Sequence, residues 1–164
     1  MHADSWALKA KKLGFRSRAV FKLEEILIKT KALKKNSFVL DIGSAPGGWS
    51  ELIKGMTPSS SVYAIDLLPM DPINGVMFFQ KDIINIDEIK EIFLLKSKFN
   101  LVISDLAPNL TGIRAVDEEN IFELNIITLR TAVSYLSNNN GSFIIKTFQN
   151  SLLKKLRAEM EKSF

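Results

Sequence analysis

The stretch that most constrains this chain is Asp41 to Trp49, DIGSAPGGW. It directly follows an apolar, β-prone run, Phe38, Val39 and Leu40, and opens onto a helix-like segment from Ser50 to Lys54. A strand that turns through glycines into a helix is where a parallel α/β sheet holds its ligand. Gly43, Gly47 and Gly48 permit a tight turn and a close approach of the backbone. The helix start adds unpaired N–H groups and a positive dipole end, which suit a carboxylate or phosphate. The spacing also excludes. A dinucleotide fingerprint runs G-x-G-x-x-G, and a P-loop ends in Lys followed by Ser or Thr. Here the glycines run G-x-x-x-G-G with Pro46 between them, so nicotinamide cofactors and ATP are disfavoured. For the loop taken alone, a tight strand-to-helix turn without a ligand remains the competing reading.

Apolar runs at Phe38 to Ile42, Ser61 to Ile65, Val76 to Gln80, Leu101 to Ser104 and Ser142 to Lys146 alternate with helical patterns. The pattern predicts βαβ units, a mostly parallel sheet and helices on both of its faces. Helices are expected at Arg18 to Thr30, Gly48 to Met56, Ile86 to Lys96 and Glu118 to Leu136, with Ile121, Leu124, Ile127, Leu129 and Val133 as a core stripe in the last. Asn138 to Gly141 reads as a turn into the fifth strand.

At 164 residues and 46% apolar content, the chain suits one domain with a real core, 1–37 forming a basic arm and first helix and 38–164 an α/β body. There is no cysteine, and His2 is the single histidine. Disulfides and thiolate zinc sites are excluded, little remains for a histidine-based triad, and no metal is expected. The N-terminus, MHADSWALKAKK, lacks a signal-peptide core and no apolar run has the length of a membrane span, so a cytoplasmic protein without a membrane partner is expected. Charge is uneven. Residues 1–37 carry ten Lys or Arg against three acids, 38–145 carry seven against thirteen, and 146–164 carry five against two, giving balances of +7, −6 and +3. A basic arm beside an acidic body fits a polyanion docking at one edge; a solvated basic helix is the plain alternative.

Two carboxylates bear on the ligand. Asp66 closes the second strand, 23 residues after Gly43, where a carboxylate can accept hydrogen bonds from both hydroxyls of a ribose. Asp82 follows the third strand, in reach of an adenine amino group. Each also reads as a turn or cap residue. Together with the glycine loop they describe a nucleoside with a charged tail.

At this point the chain resembles the FtsJ-like RNA 2′-O-methyltransferases, of the class I, S-adenosylmethionine-dependent, Rossmann-like fold. The resemblance rests on RSRAVFKLEEI (Arg16 to Ile26), DIGSAPGGWS (Asp41 to Ser50), DLLPMDPINGV (Asp66 to Val76), SDLAPNLTG (Ser104 to Gly112) and GSFIIKTFQ (Gly141 to Gln149), in family order over nearly the whole chain. DLLPMDP points to the ribosomal RNA branch rather than to cap-methylating relatives. The resemblance implies cofactor contacts at Gly47, Trp49, Asp66, Asp82 and Asp105, with S-adenosyl-L-methionine as cofactor. It implies catalytic roles for Lys22, Asp105 and Lys146, the first three members of a Lys-Asp-Lys-Glu set. The glutamate, which the family carries on a strand near its C-terminus, has no counterpart before Phe164. Glu159 and Glu161 lie in a helix-like segment and do not match it. The last two family strands are likewise expected to be missing, from a shortened sequence or a reduced product.

The implied reaction is methylation of a uridine ribose 2′-hydroxyl in large-subunit ribosomal RNA by a monomer, with ribosomal RNA or the large subunit as partner. Such a hydroxyl is a poor nucleophile until a base takes its proton. Lys146, at a strand end, serves as base only if burial or the nearby Lys22 depresses its pKa, and Asp105 would orient its ammonium. RNA contacts would fall on Lys9, Lys11, Lys12, Arg16, Arg18, Lys34 and Lys35, joined by Lys154, Lys155 and Arg157. They would attach phosphates without reading sequence. Two competing readings stand beside this one: a non-catalytic RNA- or ribosome-binding protein that keeps the cofactor pocket, and a small-molecule methyltransferase, against which the basic arm counts.

Overall fold

A computed structural model describes the backbone of residues 2–164 and the side chains of Ser5 and residues 8–164; the His2 side chain lies outside the described residues. Helix α1 (His2–Lys12) and helix α2 (Val20–Thr30) precede strand β1 (Phe38–Ile42). Then come α3 (Gly48–Met56), β2 (Ser61–Asp66), β3 (Val76–Gln80), a 3₁₀ segment (Ile83–Glu88), α4 (Lys90–Phe93), β4 (Leu101–Ser104), α5 (Arg114–Tyr135), β5 (Ser142–Ile145) and α6 (Leu153–Ser163). The strands form one five-stranded sheet in the order β3-β2-β1-β4-β5, with every pairing parallel. Val39 stands opposite Val62 on one side and Leu101 on the other.

Strands buried on both faces explain the near-continuous apolar runs of β1, β2 and β4. Leu40, Ile42, Tyr63, Ile65 and Val102 face one layer, with Ile83, Ile86, Ile89, Ile92 and α5 residues Ala132 and Tyr135. Val39, Val62, Leu101 and Ile103 face the other, with Val20, Leu23 and Leu27 of α2 and Trp49, Leu52 and Ile53 of α3. Helices therefore cover both faces, as expected. In the first layer Phe99 bridges Tyr63 and Tyr135 edge to face, at centroid distances of 5.6 and 6.1 Å.

The helix expected over Ile86 to Lys96 is not one helix. Asp82 caps the 3₁₀ segment by accepting from the Ile84 N–H, Asn85 departs from helical angles, and Ile89 is extended, so α4 starts afresh at Lys90. The cause is visible in the spacing. The buried isoleucines 83, 86, 89 and 92 recur every third residue, the repeat that aligns side chains in a 3₁₀ turn and drifts off one face in an α-helix. A polar knot pins the result from outside: Tyr135 Oη and Lys96 Nζ both donate to Asp87, at 2.5 Å and 2.9 Å. Helix α5 begins at Arg114 rather than Glu118, and Asp117 in its first turn accepts from the Thr111 and Gly112 N–H groups, tying the preceding loop to the helix start. The arm, for which no helix was expected before Arg18, contains α1.

Candidate active site

The sheet order changes direction between β1 and β4, so the loops after these strands splay apart and leave a crevice at their carboxyl ends. It measures about 520 Å³. Gly43, Ala45, Asp66, Asp82 and Asp105 line it over a floor of Ile42, Ile65 and Ile83, and α5 supplies the far wall with Glu123, Leu124 and Ile127.

The glycines of the β1 loop are needed for approach, but to the protein's own segments. Gly43 has φ +75°, and a Cβ there would lie 2.7 Å from Leu106 Cα, in the loop after β4. Gly47, at φ +105°, would meet Ile73 at 2.6 Å and Met70 at 2.9 Å, and Gly48 would meet Ser17 at 2.9 Å. Of the expected cofactor contacts, Gly47 and Trp49 stand back from the crevice wall: the Trp49 side chain is packed in the α2–α3 layer of the core. What these two offer a ligand is backbone at the start of α3.

Asp66 braces the site. Its Oδ2 accepts from the Ala45 N–H and its Oδ1 from the Leu68 N–H, both at 2.8 Å, tying the β1 loop to the loop after β2. Each oxygen keeps a second lone pair for a ribose hydroxyl, so the turn and ligand readings coexist. Asp82 likewise combines its cap with a place on the crevice wall.

Asp105 and Lys146 come together. Lys146 continues the β4–β5 ladder by donating its N–H to Ser104 O at 2.8 Å, which brings its Nζ to within 2.5 Å of Asp105 Oδ1. Lys22 is not part of this pair: it lies on the outer face of α2 and donates to Glu25 at 2.9 Å. Neither the burial nor the Lys22 neighbour expected around Lys146 is present: its side chain is 57% exposed and Lys22 is engaged with Glu25. Among the expected RNA contacts, Lys11 and Lys12 are exposed, Lys155 sits 4.4 Å above the Phe122 ring, and Arg16 turns inward.

Two residues escaped the sequence reading, and a third, Arg16, was read there only as an RNA contact. Asp41, within β1, is fully buried; burial pushes its carboxyl up to about 7, opposed by a 2.6 Å hydrogen bond from the Ser50 hydroxyl and reinforced by the charges of Asp105 and Asp66. A lone acid in the run FVLDI was its signal. Asn125, buried in α5, donates to Thr147 Oγ1 at 2.7 Å and so holds the residue after Lys146. Arg16 spans two loops of the crevice, as described below.

The donor set fits a nucleoside with a charged tail: acceptors at Asp66 and Asp82, apolar walls between them, and in the glycine loop the buried Ser44 Oγ without a hydrogen-bond partner. Among the described residues no cluster of His, Cys, Asp and Glu is arranged to hold a metal, and no helix is long and apolar enough to cross a membrane.

Sheet order, switch-point crevice and strand-end carboxylates define a Rossmann-like fold with a ligand-sized crevice. The profile of the FtsJ-like methyltransferase family matches residues 15–164, and the chain belongs to that family. It is 42% identical over 161 residues to ribosomal RNA large subunit methyltransferase E of Buchnera aphidicola subsp. Cinara cedri, covering 94% of this chain and 77% of the relative. To the protein of the same name from Francisella tularensis subsp. novicida it is 41% identical over 167 residues, covering 98% and 81%. The crystal structure of a ribosomal RNA methyltransferase from Plasmodium falciparum superposes with a TM-score of 0.81 at 32% identity, over 90% of this chain and 86% of that one. Methyltransferases of this family in general take their methyl group from S-adenosylmethionine.

Proposed function

We propose that this chain transfers a methyl group from S-adenosylmethionine to the 2′-hydroxyl of a uridine ribose in large-subunit ribosomal RNA, acting as a monomeric single domain on the RNA or the large subunit. The names of its relatives support the substrate class, and the observation that carries the chemistry is the Asp105–Lys146 pair at the crevice mouth.

S-adenosylmethionine supplies an electrophilic methyl group on a sulfonium. Asp66 would hold its ribose hydroxyls and Asp82 its adenine, the turn at Gly47 and the free Trp49 N–H would receive its carboxylate, and Asp105 would contact the cofactor from the end of β4; the Gly47 N–H itself is taken up by Ser44 O at 2.6 Å. Lys146 would take the proton of the incoming 2′-hydroxyl, with Asp105 holding its Nζ in place, so that the oxygen becomes nucleophilic beside the crevice that would hold the methyl donor. Because Lys146 is half-open to solvent, the site around it is completed only in the RNA-bound state, in which the substrate excludes water. Lys22 joins only if its Glu25 pair opens, which a substrate phosphate near α2 favours.

The test is methyl transfer from labelled cofactor to unmodified ribosomal particles, with the product mapped by resistance of the modified ribose to alkaline cleavage. A single 2′-O-methyluridine in the large-subunit RNA is expected. Binding of cofactor and RNA without transfer would replace this reading with a non-catalytic one.

A further inference from the structure

Arg16 is a charged residue of a basic arm, yet only a quarter of its side chain is exposed. Its Nη1 donates to Asp71 O at 2.8 Å and to Pro46 O at 3.2 Å, and its Nη2 to Pro72 O at 3.1 Å. Its Nε lies 3.8 Å from Glu51 in the first turn of α3. Pro46 belongs to the β1 loop, and Asp71 and Pro72 to the loop after β2. One planar guanidinium thus staples the arm to both loops that flank the cofactor side of the crevice. The next arm residue, Ser17, occupies the space a Cβ on Gly48 would need. On the outer side of the same turn, Lys11, Arg16 and Arg18 line a solvent-open concavity around Gly14. Arg16 therefore separates a basic surface suited to phosphates from the wall of the cofactor loop.

Resting on the function proposed above, we infer that Arg16 is a positioning residue that couples the two sites. Ordering the arm by RNA orders both cofactor loops through the same guanidinium, so that RNA and S-adenosylmethionine bind with positive cooperativity. A lysine cannot replace it, since a single ammonium lacks the rigid fork that reaches carbonyls of two loops. By linkage, whatever factor RNA adds to cofactor affinity, the cofactor adds to RNA affinity.

The experiment compares the full chain with Arg16→Lys, which keeps the charge and loses the fork. Cofactor is titrated calorimetrically with and without an unmodified large-subunit RNA transcript. For the wild type, RNA should tighten cofactor binding at least about fivefold. In the variant, cofactor affinity alone should drop about tenfold and the RNA effect should vanish, while the salt slope of RNA binding stays unchanged. Equal cofactor affinity in the two proteins would overturn the inference, as would RNA weakening cofactor binding in the wild type. In Arg16→Gln, which removes the charge, a slope lowered by about one unit would also overturn it, because Arg16 would then be spending its charge on a phosphate. Amide hydrogen exchange without any ligand keeps the test independent of the functional reading. Residues 43–49 and 67–75 should exchange faster in Arg16→Lys while β2 and β4 stay protected, and unchanged exchange at both loops would overturn the inference even if the wild type bound no cofactor.

Discussion

The two sides of the crevice are built to different standards. On the β1–β2 side the loop from Gly43 to Trp49 is largely buried, its glycine positions are filled by Leu106, Met70, Ile73 and Ser17, and Asp66 and Arg16 cross-brace it. On the β4–β5 side, residues 107–115 and 146–151 are mostly exposed and are held by a few side-chain bonds, Asp105 with Lys146 and Asn125 with Thr147 among them. The first side is preorganised for a small ligand of fixed shape. The second is left for a macromolecule to complete. Preorganisation moves most of the ordering cost into folding on the cofactor side, leaving the arm and the two loops it staples to be fixed by RNA, whereas on the acceptor side the cost falls on substrate binding.

This contrast breaks most visibly at Lys146. Lys146→Ala should lower the rate of methyl transfer by about 10² to 10⁴ and leave cofactor affinity as it was. Lys146→Arg should be nearly as damaging, because a guanidinium stays protonated. Single-turnover rates with parallel calorimetry separate the two effects, and an arginine variant with most of its activity would remove the general-base role.

On the buried side the next largest effect is a pH dependence of stability. With its carboxyl held up to about 7, native Asp41 keeps a proton that the unfolded chain releases near pH 4. Its contribution to stability is therefore lost as pH rises from about 4 to about 7, by up to roughly 4 kcal/mol. Asp41→Asn abolishes that titration. Urea midpoints for the two proteins should converge or cross as pH rises through the window, and parallel curves would place the carboxyl elsewhere in its titration. Asp66→Ala should weaken S-adenosylmethionine by about 1 to 3 kcal/mol, through the lost ribose acceptor and the loosened Ala45 amide together. Unchanged affinity in calorimetry would remove Asp66 from the site. The smallest effect belongs to the arm: Lys11→Gln with Lys12→Gln should reduce the slope of log K for RNA against log salt by about 2 units if both reach phosphates. Lys9 is left in place because its ammonium also packs over the Phe21 ring, at 4.9 Å.

What could be read in advance follows the same division. The strands at 38–42, 76–80 and 101–104 and helix α3 occupy the expected residues, because apolar runs and glycine punctuation reflect burial within a parallel sheet. The pairing of Asp105 with Lys146 follows from adjacent strand ends and was legible. The solitary position of Lys22 was not, since a helical pattern does not say which way a side chain points when Glu25 lies one turn away. The bracing role of Arg16 was not legible either, because a sequence displays its charge and hides the carbonyls it reaches, which lie 30, 55 and 56 residues further along the chain. The glycines were read correctly as marks of close approach, but the partner is protein.

The strand order sets a timetable for folding. β1 sits at the centre of the sheet, but its partners are β2 and the much later β4. A chain emerging from synthesis at about 5 to 20 residues per second holds an almost wholly apolar central strand with one edge unpaired for several seconds before β4 arrives. Pairings of such long sequence separation are intrinsically slow to form and expose aggregation-prone edges meanwhile. The packing of α2 against α3, which flank β1 in the chain and cover one of its faces early, is then the nascent chain's first protection, and rapid synthesis or a shielding chaperone should raise the yield of folded protein more than any single stabilising substitution in the later half.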